Sequence, residues 1–219
     1  MPARRRLRGA ALKAHAHEVQ NRLVAEYPDA HCELDYHTPL QLLIATILSA
    51  QCTDKRVNLV TPALFKAFPT VKALAAASQG EIEELVKSAG FFRSKAKSII
   101  GMARALVDRH GGKVPATMEE LVVLPGVGRK TANVVLGNAF GINVGIVVDT
   151  HVARLSDRLG LTRETDPVKI EKALIPLFSN ESWTQLSHLL IWHGRRACVA
   201  RSPRCGDCVV RDICPASSA

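Results

Sequence analysis

Four cysteines, Cys198, Cys205, Cys208 and Cys214, fall within seventeen residues as Cys-x6-Cys-x2-Cys-x5-Cys, while Cys32 and Cys52 lie far away. Such crowding demands a common ligand or a pair of disulfides. Disulfides require an oxidising compartment, and no apolar segment of a secretion signal follows the basic N-terminus. Structural zinc favours two short-spaced pairs at opposite ends of a loop. This loop has one Cys-x2-Cys pair with a longer spacing on each side, an asymmetry that suits four thiolates wrapped around a larger iron–sulfur cubane, with zinc as the alternative. Arg201, Arg204 and Arg211 sit between these ligands. A closed loop would gather their guanidiniums on one small surface, either to meet phosphate oxygens or to offset the thiolates' charge.

The rest of the chain repeats apolar residues at helical spacing with breaks at Gly and Pro. Leu40, Leu43, Ile44, Ile47 and Leu48 make one apolar face, and Val57, Val60, Leu64 and Phe65 another. Residues 94–110 carry Ile99, Met102, Ala103 and Leu106 between basic positions, and Gly111-Gly112 supplies the stop. Ile146-Val147-Val148 is too short and isolated to nucleate a sheet. These patterns predict an all-α fold.

Lys and Arg outnumber Asp and Glu by 29 to 20, a net charge of +9 that suits a polyanion, nucleic acid before an anionic membrane. Arg4, Arg5, Arg6, Arg8 and Lys13 carry no acid among them and read as a phosphate-binding arm, a transit peptide or a frayed tail. The long uncharged run of residues 131–148 is broken by Asn133, Asn138, Asn143 and three glycines, unlike a membrane span.

In LVVLPGVGRKTANVVL, residues 121–136, one apolar helix ends at Leu124-Pro125 and another begins around Gly128. Gly126 and Gly128 can take positive φ and admit a phosphate close to their amides. The N–H groups opening the second helix then point outward, with the dipole adding to the attraction for an anion. Lys130 falls in that first turn, where the dipole disfavours a protonated amine and partial burial would disfavour it further. It is either a solvated phosphate-binding lysine or a nucleophile able to form a Schiff base. Asp149 follows the apolar run Gly145 to Val148 and precedes a helical pattern, so it reads as an N-cap at the edge of the core. His151 beside it contacts phosphate or is structural. Lys95 and Lys97 read as backbone contacts or a solvated face.

These segments resemble a known family. Residues 121–136 resemble the helix-hairpin-helix of DNA glycosylases, Val148-Asp149-Thr150-His151-Val152-Ala153-Arg154 matches a motif of the endonuclease III family, and the cysteine spacing is similar to that family's C-terminal loop. The resemblance runs from about Leu34 to Cys214, with the motifs in the expected order. It implies two α-helical domains: a six-helix barrel over 32–142 that carries the hairpin, and a cluster domain from 1–31 and 143–219, with DNA in the cleft between them. It implies a [4Fe–4S] cluster on the four cysteines, Lys130 as nucleophile and Asp149 as the carboxylate assisting it. Gly126, Val127, Gly128 and Arg129 would grip a backbone phosphate, and His151, Arg201 and Arg204 would contact DNA.

A base inside the duplex must be extruded and its gap filled. Two loops, Ser49-Ala50-Gln51-Cys52-Thr53-Asp54 and Gly90-Phe91-Phe92-Arg93-Ser94-Lys95, resemble the family's inserting segments. Gln51 would plug the hole and Phe91 wedge between bases. Phe91 departs from the family's aliphatic wedge and Phe92 adds a second aromatic, so wedge and core packing both stand for these rings.

The implied activity is that of a bifunctional DNA glycosylase/AP lyase excising oxidised pyrimidines such as thymine glycol from duplex DNA. The expected partner is damaged double-stranded DNA, with no membrane and no small-molecule cofactor. The chain is expected to act as a cytoplasmic monomer at the nucleoid, organellar targeting by the basic N-terminus standing as the alternative location. Two other readings are a monofunctional adenine glycosylase and a non-catalytic DNA-binding protein with the cysteines as a redox sensor. Lys130 argues against the former, as do the five residues after Cys214, which leave no room for its additional C-terminal domain.

Overall fold

Side chains that bond back to the first turn set most of the helix starts. A computed structural model describes residues 7–218; Arg4, Arg5 and Arg6 of the basic N-terminus lie outside the described residues. Eleven α-helices and no strand occur among the described residues. Thr38, Thr53, Thr70, Ser78, Thr117, Asp149 and Asp166 each accept a backbone N–H as N-cap, which satisfies a donor that a helix start otherwise leaves open. Ser78 and Glu81 form a full capping box.

The chain divides into two compact units, Met1–His31 with Asn143–Ala219, and Cys32–Ile142. The second unit contains α2 (Pro39–Leu48), α3 (Asp54–Ala67), α4 (Val71–Ala76), α5 (Gln79–Val86), α6 (Phe92–His110), α7 (Met118–Val122) and α8 (Arg129–Ala139). Its core gathers Leu42, Leu43, Leu48, Val57, Leu64, Ile99, Met102, Leu106 and Leu136. Helix α2 is not amphipathic as its periodicity suggests: every residue from Leu42 to Leu48 is buried, because neighbours cover it on all sides. Helix α6 keeps its expected face and ends on Gly111, whose left-handed φ of 59° closes the C-terminus.

The first unit is built from both ends of the chain. Helix α1 (Gly9–Glu26) buries Ala16, Val19 and Leu23 in a core with α9 (Thr150–Arg158), α10 (Pro167–Leu174) and α11 (Trp183–Arg196). Ile146, Val147 and Val148 are buried in extended backbone without a ladder partner, and Ser187 Oγ accepts from Val147 N at 3.0 Å. Among the described residues no helix is long and apolar enough to cross a membrane.

Leu43 is fully buried in the centre of α2, so Leu43→Ala is expected to cost about 2–5 kcal/mol, measured as a lower urea midpoint by circular dichroism. Thr38→Ala at the cap of the same helix should cost only about 1 kcal/mol.

Candidate functional site

The connection in the hairpin is longer than its apolar pattern implies, and backbone bonds close it. Helix α7 stops at Val122, and Leu124 N to Leu121 O and Val127 N to Leu124 O, both 3.1 Å, close the turn before α8 starts at Arg129. Gly126 has φ +77°, and a Cβ there would come within 2.6 Å of Ser98 Cβ. Both the left-handed backbone and the close approach of α6 therefore require glycine. Gly128 departs from the expectation: it is the N-cap of α8 in extended backbone, φ −97° and ψ 177°. Its missing side chain leaves open space, with nothing within 4 Å of an added Cβ. No side chain caps α8, in contrast to seven other helices, so its first-turn N–H groups face outward. Val127 serves differently from its neighbours, since its side chain is buried and its amide closes the turn. Arg129 and Lys130 are both exposed in the first turn of α8; the partial burial suggested for Lys130 is absent.

The two loops proposed to enter DNA belong to the same unit. Gln51, just beyond α2, is exposed with φ 52°, and Phe91, the N-terminal cap position of α6, has φ 47° and is 66% exposed. Phe92 turns back against the core, with the Arg93 guanidinium 5.5 Å from its ring centre. Lys97 is exposed, but Lys95 is not the surface residue its basic neighbours suggest. It is 5% exposed, and its Nζ donates to Leu48 O at 2.8 Å and Ala89 O at 2.7 Å. Burial lowers its proton affinity.

In the first unit Asp149 caps α9: its Oδ1 accepts from His151 N at 2.8 Å and Val152 N at 2.9 Å. The carboxylate is half-buried at the end of the buried 146–148 run. His151 turns inward, its Nδ1 3.1 Å from Arg154 Nη2, and burial lowers its pKa. Gly194 of α11 lies so close to α9 that a Cβ would meet His151 Nδ1 at 3.1 Å and Arg154 Nη2 at 3.0 Å.

Arg154 and Arg158, one turn apart on α9, then brace the cysteine loop. Arg154 donates to Gly194 O at 2.9 Å and to Cys198 O at 3.1 Å. Arg158 donates to Val199 O at 2.9 Å, Ala200 O at 2.8 Å and Cys198 Sγ at 3.3 Å. Sequence reasoning missed both arginines, whose partners lie some forty positions away. Arg204 and Arg211 bond back onto Arg196 O and Gly206 O, while Arg201 stays exposed.

All four half-buried cysteines line one cavity of about 220 Å³, together with Arg158, His193, Arg204 and Arg211. Among the described residues no three Cys, His or carboxylate side chains converge tightly enough to hold one metal ion. An all-thiolate set lining one cavity is the donor chemistry that an iron–sulfur cluster takes up. Burial pushes the Cys208 and Cys214 thiols up, a cost that ligation of the thiolates by iron offsets. His193, 1% exposed, links Tyr27 Oη at 3.0 Å to Cys208 Sγ at 3.4 Å, and burial pushes its pKa down to about 4, so it is neutral.

A glycine hairpin feeding an uncapped helix, in an all-helical chain with a four-thiolate loop, defines a class of DNA-repair proteins. Residues 44–179 match the HhH-GPD superfamily base excision DNA repair proteins, and residues 198–214 match the iron–sulfur binding domain of endonuclease III. Endonuclease III of Synechocystis sp. is 56% identical over 210 residues, 96% of each chain. Two solved structures, a non-covalent endonuclease III–DNA complex and a trapped endonuclease III–DNA covalent intermediate, each align with a TM-score of 0.90 and 42% identity, covering 94% of this chain and 96% of theirs. The chain belongs to the endonuclease III family, and its four-cysteine loop is that family's [4Fe–4S] site.

Gly126→Ala should lower stability by at least about 1–2 kcal/mol, the cost of a left-handed L-residue, before the Ser98 overlap is counted. Gly128→Ala should keep the fold and weaken binding to undamaged duplex. Thermal melting beside fluorescence anisotropy with labelled DNA separates the two effects.

Proposed function

We propose that Lys130 is the nucleophile and Asp149 the assisting carboxylate of this DNA glycosylase/AP lyase, which acts in base excision repair on oxidised pyrimidines in damaged duplex DNA. The observation that carries the reading is Lys130 exposed at the start of an uncapped helix that follows a turn only glycine can make. An anion drawn to the α8 N-terminus brings the sugar–phosphate backbone to that amine. The covalent endonuclease III–DNA intermediate trapped for a relative 42% identical supports the assignment.

The Lys130 amine attacks the sugar C1′, the C1′–base bond breaks, and the base leaves with a proton. The nitrogen lone pair then expels O4′, which takes up a proton as the C1′–O4′ bond breaks and the sugar ring opens to a C1′=N Schiff base; this acidifies C2′, and loss of that proton expels the 3′ phosphate by β-elimination and nicks the strand. Asp149 accepts the amine's proton and stabilises positive charge developing on the sugar. Its Oδ1 already holds two amides, which orients the carboxylate, so capping and catalysis coexist. Gln51 fills the space left by the extruded base and Phe91 wedges beside it. Cys198, Cys205, Cys208 and Cys214 hold the cluster, which when bound supplies a cross-link that fixes the loop's fold. Arg201 projects from that loop as a phosphate contact. The protein is read as a monomer acting on nucleoid DNA, a polyanion that its +9 charge suits.

Borohydride trapping on a duplex containing one thymine glycol tests the reading. Wild type should give a covalent adduct that disappears in Lys130→Ala, and Asp149→Asn should slow base removal by about 10²-fold or more. An intact, DNA-binding wild type that yields no adduct and no strand cleavage would instead support a monofunctional or non-catalytic protein.

A further inference from the structure

Lys95 is a buried cation for which the chemistry of Lys130 and Asp149 has no use. Burying an ammonium costs several kcal/mol unless strong acceptors replace its hydration. An apolar side chain of similar length would fill the same space without that cost. Here the compensation comes from two backbone carbonyls, Leu48 O at 2.8 Å and Ala89 O at 2.7 Å. Leu48 is the last residue of α2, where helix carbonyls lack intrahelical partners. Ala89 ends the short 3-10 turn of Lys87–Ala89. Forty-seven positions separate Lys95 from Leu48 in sequence and six separate it from Ala89. One ammonium therefore ties together the ends of two separate elements.

Each of those carbonyls sits at the base of one of the two exposed loops. Gln51 lies three residues beyond Leu48, and Phe91 lies two residues beyond Ala89. Both are exposed, and both hold left-handed backbone, φ 52° and φ 47°, which is unfavourable for an L-residue. Such conformations persist only where the surroundings over-determine them. For Phe91 the result is a ring projected outward, while the adjacent Phe92 packs against the core. Lys95 N also donates to Phe91 O at 3.1 Å, so the residue that holds both loop bases closes the first turn after the Phe91 kink as well.

We infer that Lys95 is a positioning residue that locks the Gln51 and Phe91 loops at one fixed spacing, so that plug and wedge enter the duplex as a single rigid pair. The inference rests on the reading of Gln51 and Phe91 as the inserting residues. Pre-setting the separation removes the entropy of ordering two independent loops against DNA, which otherwise opposes base extrusion. Lys95 touches neither substrate nor reacting atoms, so its loss acts on extrusion and leaves the covalent step intact.

The test uses the full-length holoenzyme with Lys95→Met, which keeps the side chain's length and removes its donors. Single-turnover excision of thymine glycol from duplex is expected to fall by about 10²-fold, the order that slight misplacement costs. Borohydride trapping on a single-stranded abasic site, where nothing must be extruded, is expected to match wild type. Equal loss on both substrates would overturn the inference, since a merely structural lysine would impair both, and so would unchanged duplex excision. The wild-type chain supplies a second measurement that stands if Lys95→Met fails to fold. Gln51→Ala, Phe91→Ala and the double variant are compared by duplex excision. A rigid pair predicts that the double variant is scarcely worse than the more damaging single variant, because losing either member spoils insertion; strictly additive losses would overturn the inference. Should neither single variant slow duplex excision, the reading of these two residues as plug and wedge fails, and the inference fails with it.

Discussion

The hairpin exists because residue 126 has no side chain. Its positive φ turns the chain between α7 and α8, and its bare face lets Ser98 of α6 pack where a Cβ would lie 2.6 Å away. Pro125, on the same turn, approaches Gly101 of α6 to within 3.2 Å of where that glycine's Cβ would sit. Helix α6 therefore presses on the turn at two points, and both contacts rely on glycine. Fixing the turn fixes where α8 starts, and with it the outward N–H groups and Lys130 in the first turn. The loops at Gln51 and Phe91 belong to the helices of the same unit, so the elements that would grip backbone and fill the stack share one core.

The other unit is organised around α9. Its first residues are held by Asp149 and its last by the cysteine loop, through Arg154 and Arg158. A guanidinium suits that brace because its planar fork reaches several carbonyls at once. Arg158 meets Val199 O, Ala200 O and the Cys198 sulfur from one side chain, so the conformation of the loop and the placement of the capping aspartate share one short rigid element. Close approach of α11 through Gly194 completes the arrangement.

Features carried by local spacing were legible in the sequence: the cysteine pattern, the glycine turn, the all-helical periodicity and Asp149 as a cap. The features that stayed hidden depend on partners distant along the chain. Lys95 reads as one basic residue among several on α6, and only the carbonyl of Leu48, forty-seven positions earlier, makes it a buried tie. Arg154 and Arg158 were opaque for the same reason, with partners forty or more positions away. The pattern of α2 could not reveal burial on every side, because an apolar stripe looks the same whether the opposite face meets water or another helix. Gly126 and Gly128 are alike in composition and differ in conformation. The first needs left-handed φ to turn the chain, and the second needs only empty space in front of it.

Assembling one core from both ends of the chain imposes an order on its making. A ribosome releases α1 well before α11, with Ala16, Val19 and Leu23 ready to be covered, yet their partners Leu186, Leu189 and Leu190 belong to α11. The Cys32–Ile142 unit has a self-contained core and can close while the remainder is still being synthesised. Throughout that interval α1 waits with its apolar stripe uncovered. The cysteine loop is the last of these pieces to emerge, so the cluster that seals it can only be installed after the helices of both units have been made.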